Sequence, residues 1–600
     1  MDNQRYIDVV EIIHNHLGWN QSAIKTFSDT CWQDVIAACS EEMPLPQTDW
    51  LKEYDKEHRR AAAAKTLRKF GLKIKIEDCD YVTENDDIVY DALINWIREA
   101  GGRRFLNMLL SQMEYLEPEG RFLTDMNGNM PNPKDVTIVK PYNYLVNLAL
   151  ANINADGGSY SEAAKAFGKA IKLATNYCFL KYPVQNFGNV WEDLFHRDTV
   201  GFFRDLVYKE SIFGLTQHSV WFTRMFCERV LMYMHDTGRV LENGYTFDEY
   251  ERLMNYVLSV ADALKCVELR KDKLNELEIK TIDQLLDDVA TGDDVLNNGF
   301  RTPLDEEKEN AANKPLIKTN GKIYAMPATI GSWGWFEALL TVVRNQEKDD
   351  KQKDIDKEVG KLIEYYINEK LDEKGIIHCC GDYIPPAEGE ADLVVEATKG
   401  IMLFEMKKKS LTRKAKSGDT FKIMADLLGS LIDSQAQCFR TSHILIKEGH
   451  VDLDDGKGNM TRVEKQNRTA ECISVCLGAF GPLQDRMLIK CIMDEMCNKP
   501  MTAEYDGTDK QTIKDVKKFN KDLQKWLTYL NEERVNGDSK TNSFFNSWFL
   551  DLEQLMIIIN EANSNDELLA RLKETKCVTM GSYNFYRERR MVRMMNFNKE

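Results

Sequence analysis

The sequence predicts an α+β chain: a large helical N-terminal region, an α/β core near 355–500 and a helical C-terminal region. Three observations carry this. Apolar residues recur three and four apart through much of 1–300 and again after 500, the spacing of helices that bury one face. Between 375 and 449 the pattern changes to short apolar runs bounded by turn residues, which read as strands. At 600 residues the chain also exceeds what one ordinary hydrophobic core accommodates.

Within 1–300, DALINWIREAGGRRFLNMLLSQMEYL (91–116) and VWFTRMFCERVLMYMH (220–235) have helical spacing. GSYSEAAKAFGKAIKLA (158–174) reads as half of a helical hairpin, with Ala163, Phe167 and Ala170 on one face. No second copy follows at a fixed period, so the expectation is a packed helical region rather than a solenoid. Residues 301–354 read as a linker and a connecting helix. RTPLDEEKENAANKPLIKTNG (301–321) is polar, contains two prolines and lacks periodicity, whereas GSWGWFEALLTVVRN (331–345) is helical.

The core spans 355–500. DKEVGKLIEYYINEKL (356–371) reads as a helix, and GIIHCCGDYI (375–384), ADLVVEAT (391–398) and IMLFEMKKK (401–409) as strands. DTFKIMADLLGSLIDSQAQCFR (419–440) follows as a helix and SHILIKEG (442–449) as a strand. Helix, three strands, helix and strand imply a mixed sheet covered by helices. From 501 to 600 the expectation is helical, with KKFNKDLQKWLTYLNEE (517–533) and SWFLDLEQLMIIINEA (547–562). The chain ends in SYNFYRERRMVRMMNFNK (582–599), a basic and aromatic tail that reads as docked or frayed.

Composition narrows the function classes. No apolar run approaches the ~18 residues of a membrane span, and MDNQRYIDVVEI lacks the basic and apolar regions of a secretory leader. The chain therefore reads as soluble and cytoplasmic. Its 14 cysteines form no repeated C-x-x-C, so reduced thiols are expected. The 9 histidines, among them His14, His16 and His196, form no H-E-x-x-H, which argues against zinc hydrolysis. DLDDGKGNM (452–460) has glycine at the fifth position of a would-be calcium loop and reads as a hairpin turn. No G-x-x-x-x-G-K-[ST] is present. A net charge of −17 speaks against a chain that coats nucleic acid everywhere. A local groove is a separate matter, and Lys407, Lys408, Lys409, Arg413, Lys414, Lys416 and Lys422 are opposed only by Asp419.

The stretch that carries chemistry is EGEADLVVEATKGIMLFEMKKK (388–409). Strand alternation puts Ile401, Leu403, Glu405 and Lys407 on one face. The turn ATKG permits a hairpin that brings Asp392 towards Glu405. Two neighbouring carboxylates are hard oxygen donors suited to Mg²⁺ or Mn²⁺, and an adjacent lysine is placed to orient water and offset charge on a phosphate. Glu388, Glu390 and Glu396 are rival carboxylates. Gln435 lies on the apolar stripe with Phe421, Met424, Leu428, Leu431 and Cys438, where its amide needs a partner. Glu364 shares a stripe with Gly360, Ile367 and Leu371, which turns it towards the sheet.

These residues resemble the PD-(D/E)XK nuclease superfamily, the restriction-endonuclease-like fold. Asp392 matches its metal-binding aspartate and Glu405-Met406-Lys407 its (D/E)-x-K. Gln435-Ala-Gln-Cys-Phe439 is similar to the Q-x-x-x-Y of RecB-type members, with Phe439 in place of tyrosine. Gly360-Lys-Leu-Ile-Glu364 is similar to the G-x-x-x-E of Mrr-like members. No proline directly precedes Asp392. The resemblance covers about 355–450 and implies an αβββαβ core. In that reading Asp392, Glu405 and the Met406 carbonyl hold Mg²⁺ or Mn²⁺, Lys407 assists the attacking water, and Glu364 and Gln435 support the site. It implies metal-dependent hydrolysis of DNA or RNA, with Lys408, Lys409, Arg413, Lys414 and Lys416 on the backbone, and by analogy a prokaryotic defence or restriction role. The alternatives are an inactive nuclease-fold scaffold and a subunit that acts only in an oligomer or larger complex.

Overall fold

The computed structural model describes residues 11–597, apart from 19–21, 45–46, 78–79, 118, 125–139, 183–198, 347–351, 385–388, 499–501, 538–542 and 577–582. The chain is mixed α and β and forms two compact units. One comprises 1–346 with 416–418, the other 347–415 with 419–600. Among the described residues no helix is long and apolar enough to cross a membrane.

The first unit is mainly helical, as its periodicity predicts. Helices Asp87–Ala100 and Tyr160–Lys181 bury Leu93, Ile97, Ala163, Phe167 and Ala170 in its core. The second of these starts in a capping box, with the Ser159 hydroxyl accepting from the Glu162 amide and the Glu162 carboxylate from the Ser159 amide. Residues 301–321 are not a linker. Leu316–Thr319 is a strand in a four-stranded sheet, between Ala290–Gly292 and Lys322–Ala325, and Leu316 and Ile317 are buried. Four residues are too few to show a period, and their polar flanks conceal them. His14, set aside as a zinc ligand, is buried beside Glu57 at 3.6 Å, while His196 lies outside the described residues.

The second unit is built on a seven-stranded mixed sheet. Its elements are α1 (Gln352–Glu373), β1 (Cys379–Tyr383), β2 (Glu390–Glu396), β3 (Gly400–Lys407), α2 (Thr420–Leu427), α3 (Asp433–Glu448), β4 (His450–Asp454), β5 (Met460–Glu464), β6 (Thr469–Cys476), α4 (Arg486–Asn498), α5 (Lys510–Asn536), β7 (Ser547–Asp551), α6 (Leu552–Asn560), α7 (Asn565–Leu572) and α8 (Phe585–Phe597). The spatial order is β5-β4-β1-β2-β3-β6-β7. The first five strands pair antiparallel, whereas β3, β6 and β7 are mutually parallel. The buried centre reads accordingly, since all of β3 except Lys407 is buried, as parallel strands covered on both faces require.

Two expectations are corrected. SHILIKEG is not a strand: residues 442–448 complete α3, which ends where Gly449 takes a left-handed conformation at φ 79°. Ile-Leu-Ile suits either state, and continuity with the stripe that buries Cys438, Ser442 and Leu445 decides for helix. The strand that returns parallel to β3 is β6, after the β4–β5 hairpin whose turn holds the Asp-Gly-Lys-Gly segment. The 501–600 region is also not wholly helical, because β7 extends the sheet. SWFLDLEQLMIII is one apolar run in sequence. Asp551 divides it, accepting from the Gln554 amide as the cap of α6.

Candidate metal and active site

The site begins with a register. In the β2–β3 hairpin Leu393 faces Phe404 and Val394 faces Leu403, so one further step sets Asp392 opposite Glu405 on a common face. The pairing of β1 with β2 shifts between Ala391 and Val394, the span that holds Asp392. Such bulges re-aim a side chain. At Asp392 the carboxylate turns to accept from the Met406 amide at 2.8 Å. Within a strand a residue's amide and carbonyl point the same way, so the Met406 carbonyl also faces the Asp392 side. Nearby, Gly381 has φ 142°, and a Cβ there would stand 2.3 Å from the Asp454 carbonyl oxygen, so the β1–β4 approach requires glycine.

Glu405 is 2% exposed, and its Oε2 has no hydrogen-bond partner. Burial and the neighbouring Asp392 charge push its carboxyl well above the ordinary range, with Lys407 opposing them. Glu364 on α1 is pushed up to about 7 by burial and by the charges of Asp392 and Glu390, against Lys361 and Lys407. Glu364, Asp392, Glu405 and Lys407, singled out from the sequence, are thus within electrostatic reach of one another. The Lys407 ammonium lies 3.7 Å from Asp433 at the start of α3. Strand alternation alone does not point to this partner. A π-helical turn at Leu428–Ile432 directly precedes Asp433, and irregular turns of this kind often accompany functional sites. An acid on the helix after the E-x-K strand is the only local signal for it.

Gln435 stands differently. It is fully buried, and its Nε2 donates to the Cys472 carbonyl at 3.0 Å, the Ser474 hydroxyl at 2.9 Å and the Trp548 carbonyl at 3.0 Å. Its anticipated partner is therefore backbone of β6 and β7, which it clamps together. Ser474 sits beside Glu405 in the β3–β6 ladder, so Gln435 borders the site through Ser474, and its Oε1 is a second buried acceptor without a donor. Phe439 packs on Phe544 with ring centres 5.8 Å apart and is core. Gly360 has nothing within 4 Å of where a Cβ would be, so no close approach requires its glycine.

Among the rival carboxylates, Glu396 is bound by Arg468 at 2.5 Å. Glu390 is exposed at the margin, and Glu388 lies outside the described residues. Lys409, Arg413 and Lys414 are exposed and Lys408 is half-buried, whereas Lys416 belongs to the first unit.

The donor set fits a hard divalent cation. It offers two carboxylates on one rung, one of them with a buried oxygen lacking a donor, and a backbone carbonyl turned the same way. Among the described residues no group of three or more His, Cys, Asp or Glu converges as metal ligands, so water would complete a Mg²⁺ or Mn²⁺ shell, as is usual for magnesium. Comparison of the chain with protein families, curated proteins and solved structures finds no match in any of the three.

Proposed function

We propose that the chain is a divalent-cation-dependent hydrolase of nucleic-acid phosphodiester bonds, and that α1, β1–β3, α2–α3 and β6 form a PD-(D/E)XK-type core. One observation carries this reading. A buried glutamate with an unpartnered oxygen faces an aspartate across a hairpin, and a lysine follows it on the same face. Asp392, Glu405 and the Met406 carbonyl would hold Mg²⁺ or Mn²⁺. When bound, such an ion supplies positive charge that polarises a phosphoryl oxygen and acidifies water.

The remaining roles belong to side chains. Lys407, anchored by Asp433, offers an ammonium that orients the attacking water and offsets charge on the phosphorane-like transition state. Glu364, which titrates near neutrality, takes the proton that this water loses as the new P–O bond forms. The opposite P–O bond breaks and the departing oxygen acquires a proton from solvent. The second reading, a nuclease-like scaffold that binds without cutting, draws on the small number of side-chain ligands.

The test is cleavage of single- and double-stranded DNA and RNA by the full chain with Mg²⁺ or Mn²⁺, and by Asp392→Ala and Lys407→Ala. The expected result is metal-dependent cleavage reduced by about 10²-fold or more in each variant. Cleavage that survives both substitutions overturns the assignment. Binding without cleavage under any of these conditions favours the scaffold.

A further inference from the structure

The helix α5 carries a feature that the site does not use. Lys510, Lys514, Lys517, Lys518, Lys521 and Lys525 are all exposed. At about 100° per residue they fall within an arc of roughly 100°, opposite the buried Phe519, Leu523 and Leu530. Between 510 and 525 no acidic residue shares that arc. Asp515 lies on its flank, 3.7 Å from Lys422. Among the described residues none of the six lysines forms an ion pair, and Lys525 lies over the Trp526 ring at 3.8 Å.

A merely solvated face mixes both signs, because lysines four apart repel and glutamates relieve them. Here 510–514, 514–518, 517–521 and 521–525 are all like-charge pairs, in a chain whose net charge is −17. The other basic cluster at the C-terminus is internally neutralised: Arg589 pairs with Glu561 at 2.6 Å, and Arg593 with Glu574 at 3.1 Å. The lysine face of α5 has no such partner.

Its position is also defined. Phe519 packs on Phe421 of α2 at 5.5 Å, and His443 of α3 meets Glu533 of α5 at 2.9 Å. The helix thus lies along α2 and α3, and α3 begins at the Asp433 that anchors Lys407. The lysines rise every three or four residues, about 4.5–6 Å apart, over roughly 22 Å.

We propose that this face is a track for the phosphate backbone of a nucleic-acid strand. The proposal rests on the hydrolase reading for its occupant. An anionic lipid surface is disfavoured because Phe519, Leu523 and Leu530 are buried and between 510 and 525 the lysine arc holds no apolar side chain to insert.

The experiment measures binding apart from cutting. Full-length Asp392→Ala protein is titrated into labelled DNA and RNA oligonucleotides, single- and double-stranded, by fluorescence anisotropy at several KCl concentrations. The same is done with Lys514→Gln, Lys517→Gln and Lys521→Gln combined in that background. Glutamine preserves helix propensity. A control carries Lys165→Gln and Lys172→Gln on the exposed face of Tyr160–Lys181. Each phosphate contact contributes about 0.7–0.9 to the slope of log K against log salt, so the triple variant should lose about 2–3 in slope and at least about 10-fold in affinity near 0.1 M salt. The control should match its parent.

Unchanged slope and affinity in the triple variant overturn the proposal, as does absence of nucleic-acid binding in the parent. Loss of binding to phosphatidylserine vesicles alone overturns it in favour of a membrane. If the triple variant loses binding but the unsubstituted chain never cuts, the track stands and the hydrolase reading fails. If that chain cuts and the triple variant binds like its parent, the hydrolase stands and the track fails.

Discussion

Divalent-cation binding should release protons in a number that the site dictates. Burial and the neighbouring Asp392 charge raise the Glu405 carboxyl well above the ordinary range, and Glu364 is pushed up to about 7. A cation among these carboxyls favours their ionised forms. At pH 7 Glu364 therefore gives up about half a proton, on top of what Glu405 releases. At pH 8.5 Glu364 is already ionised and its share of the release falls to near zero. The sign follows from the direction of both shifts: raised carboxyl pKa values make the ion compete with protons, so apparent affinity climbs with pH through 7 and then flattens as each group ionises. Isothermal titration calorimetry with Mn²⁺ in buffers of different ionisation enthalpy reads the proton count directly. Glu364→Gln should lose the half-proton difference between the two pH values. Release near zero in the unsubstituted protein, or a pH dependence that survives Glu364→Gln, would refute the reasoning.

Further expectations follow from the same geometry. The rate of cleavage should rise with pH to a plateau above about 7 as Glu364 becomes the base form, and a pH–rate profile of Glu364→Gln should lack that limb. Gln435→Leu leaves the Cys472 and Trp548 carbonyls without their donor. This should destabilise the sheet by about 2–4 kcal/mol, seen as faster hydrogen exchange in β6 and β7, with Mn²⁺ stoichiometry retained. Glu471 is fully buried between Lys573 at 2.8 Å and Lys576 at 2.7 Å and accepts from the Trp548 indole at 3.0 Å. Removing one partner of such a cluster strands charge, so Glu471→Ala should cost about 3–5 kcal/mol in thermal unfolding.

The legible parts of this molecule are those governed by short-range periodicity. Alternation along 391–407 and a short turn suffice to put Asp392 against Glu405, because a hairpin's register is set by its loop. Helical stripes likewise forecast that Glu364 and Gln435 face inward. What sequence spacing did not reveal depends on distant chain. The partner of Lys407 is Asp433, brought into reach through α2 and the π-helical turn, and the acceptors of Gln435 come from strands 37 and 113 residues away. SHILIKEG was ambiguous because β-branched residues also fit a helix whose buried face is already established. Leu316–Thr319 and β7 escaped notice for opposite reasons. One is an apolar quartet inside a polar stretch, the other a strand fused to an apolar helix in one continuous run. The lysines of α5 do show their period in the sequence, but only the buried faces of Phe519, Leu523 and Leu530 establish that the arc is turned to solvent.

The most direct test of the account is the location of a bound ion. Crystals of the protein soaked in Mn²⁺ should give one anomalous peak between the side chains of Asp392 and Glu405, with oxygens of both at about 2.1 Å and the Met406 carbonyl at a similar distance. Soaked crystals whose strongest peaks lie elsewhere, with Asp392 still held by the Met406 amide and no ion against Glu405, would contradict it.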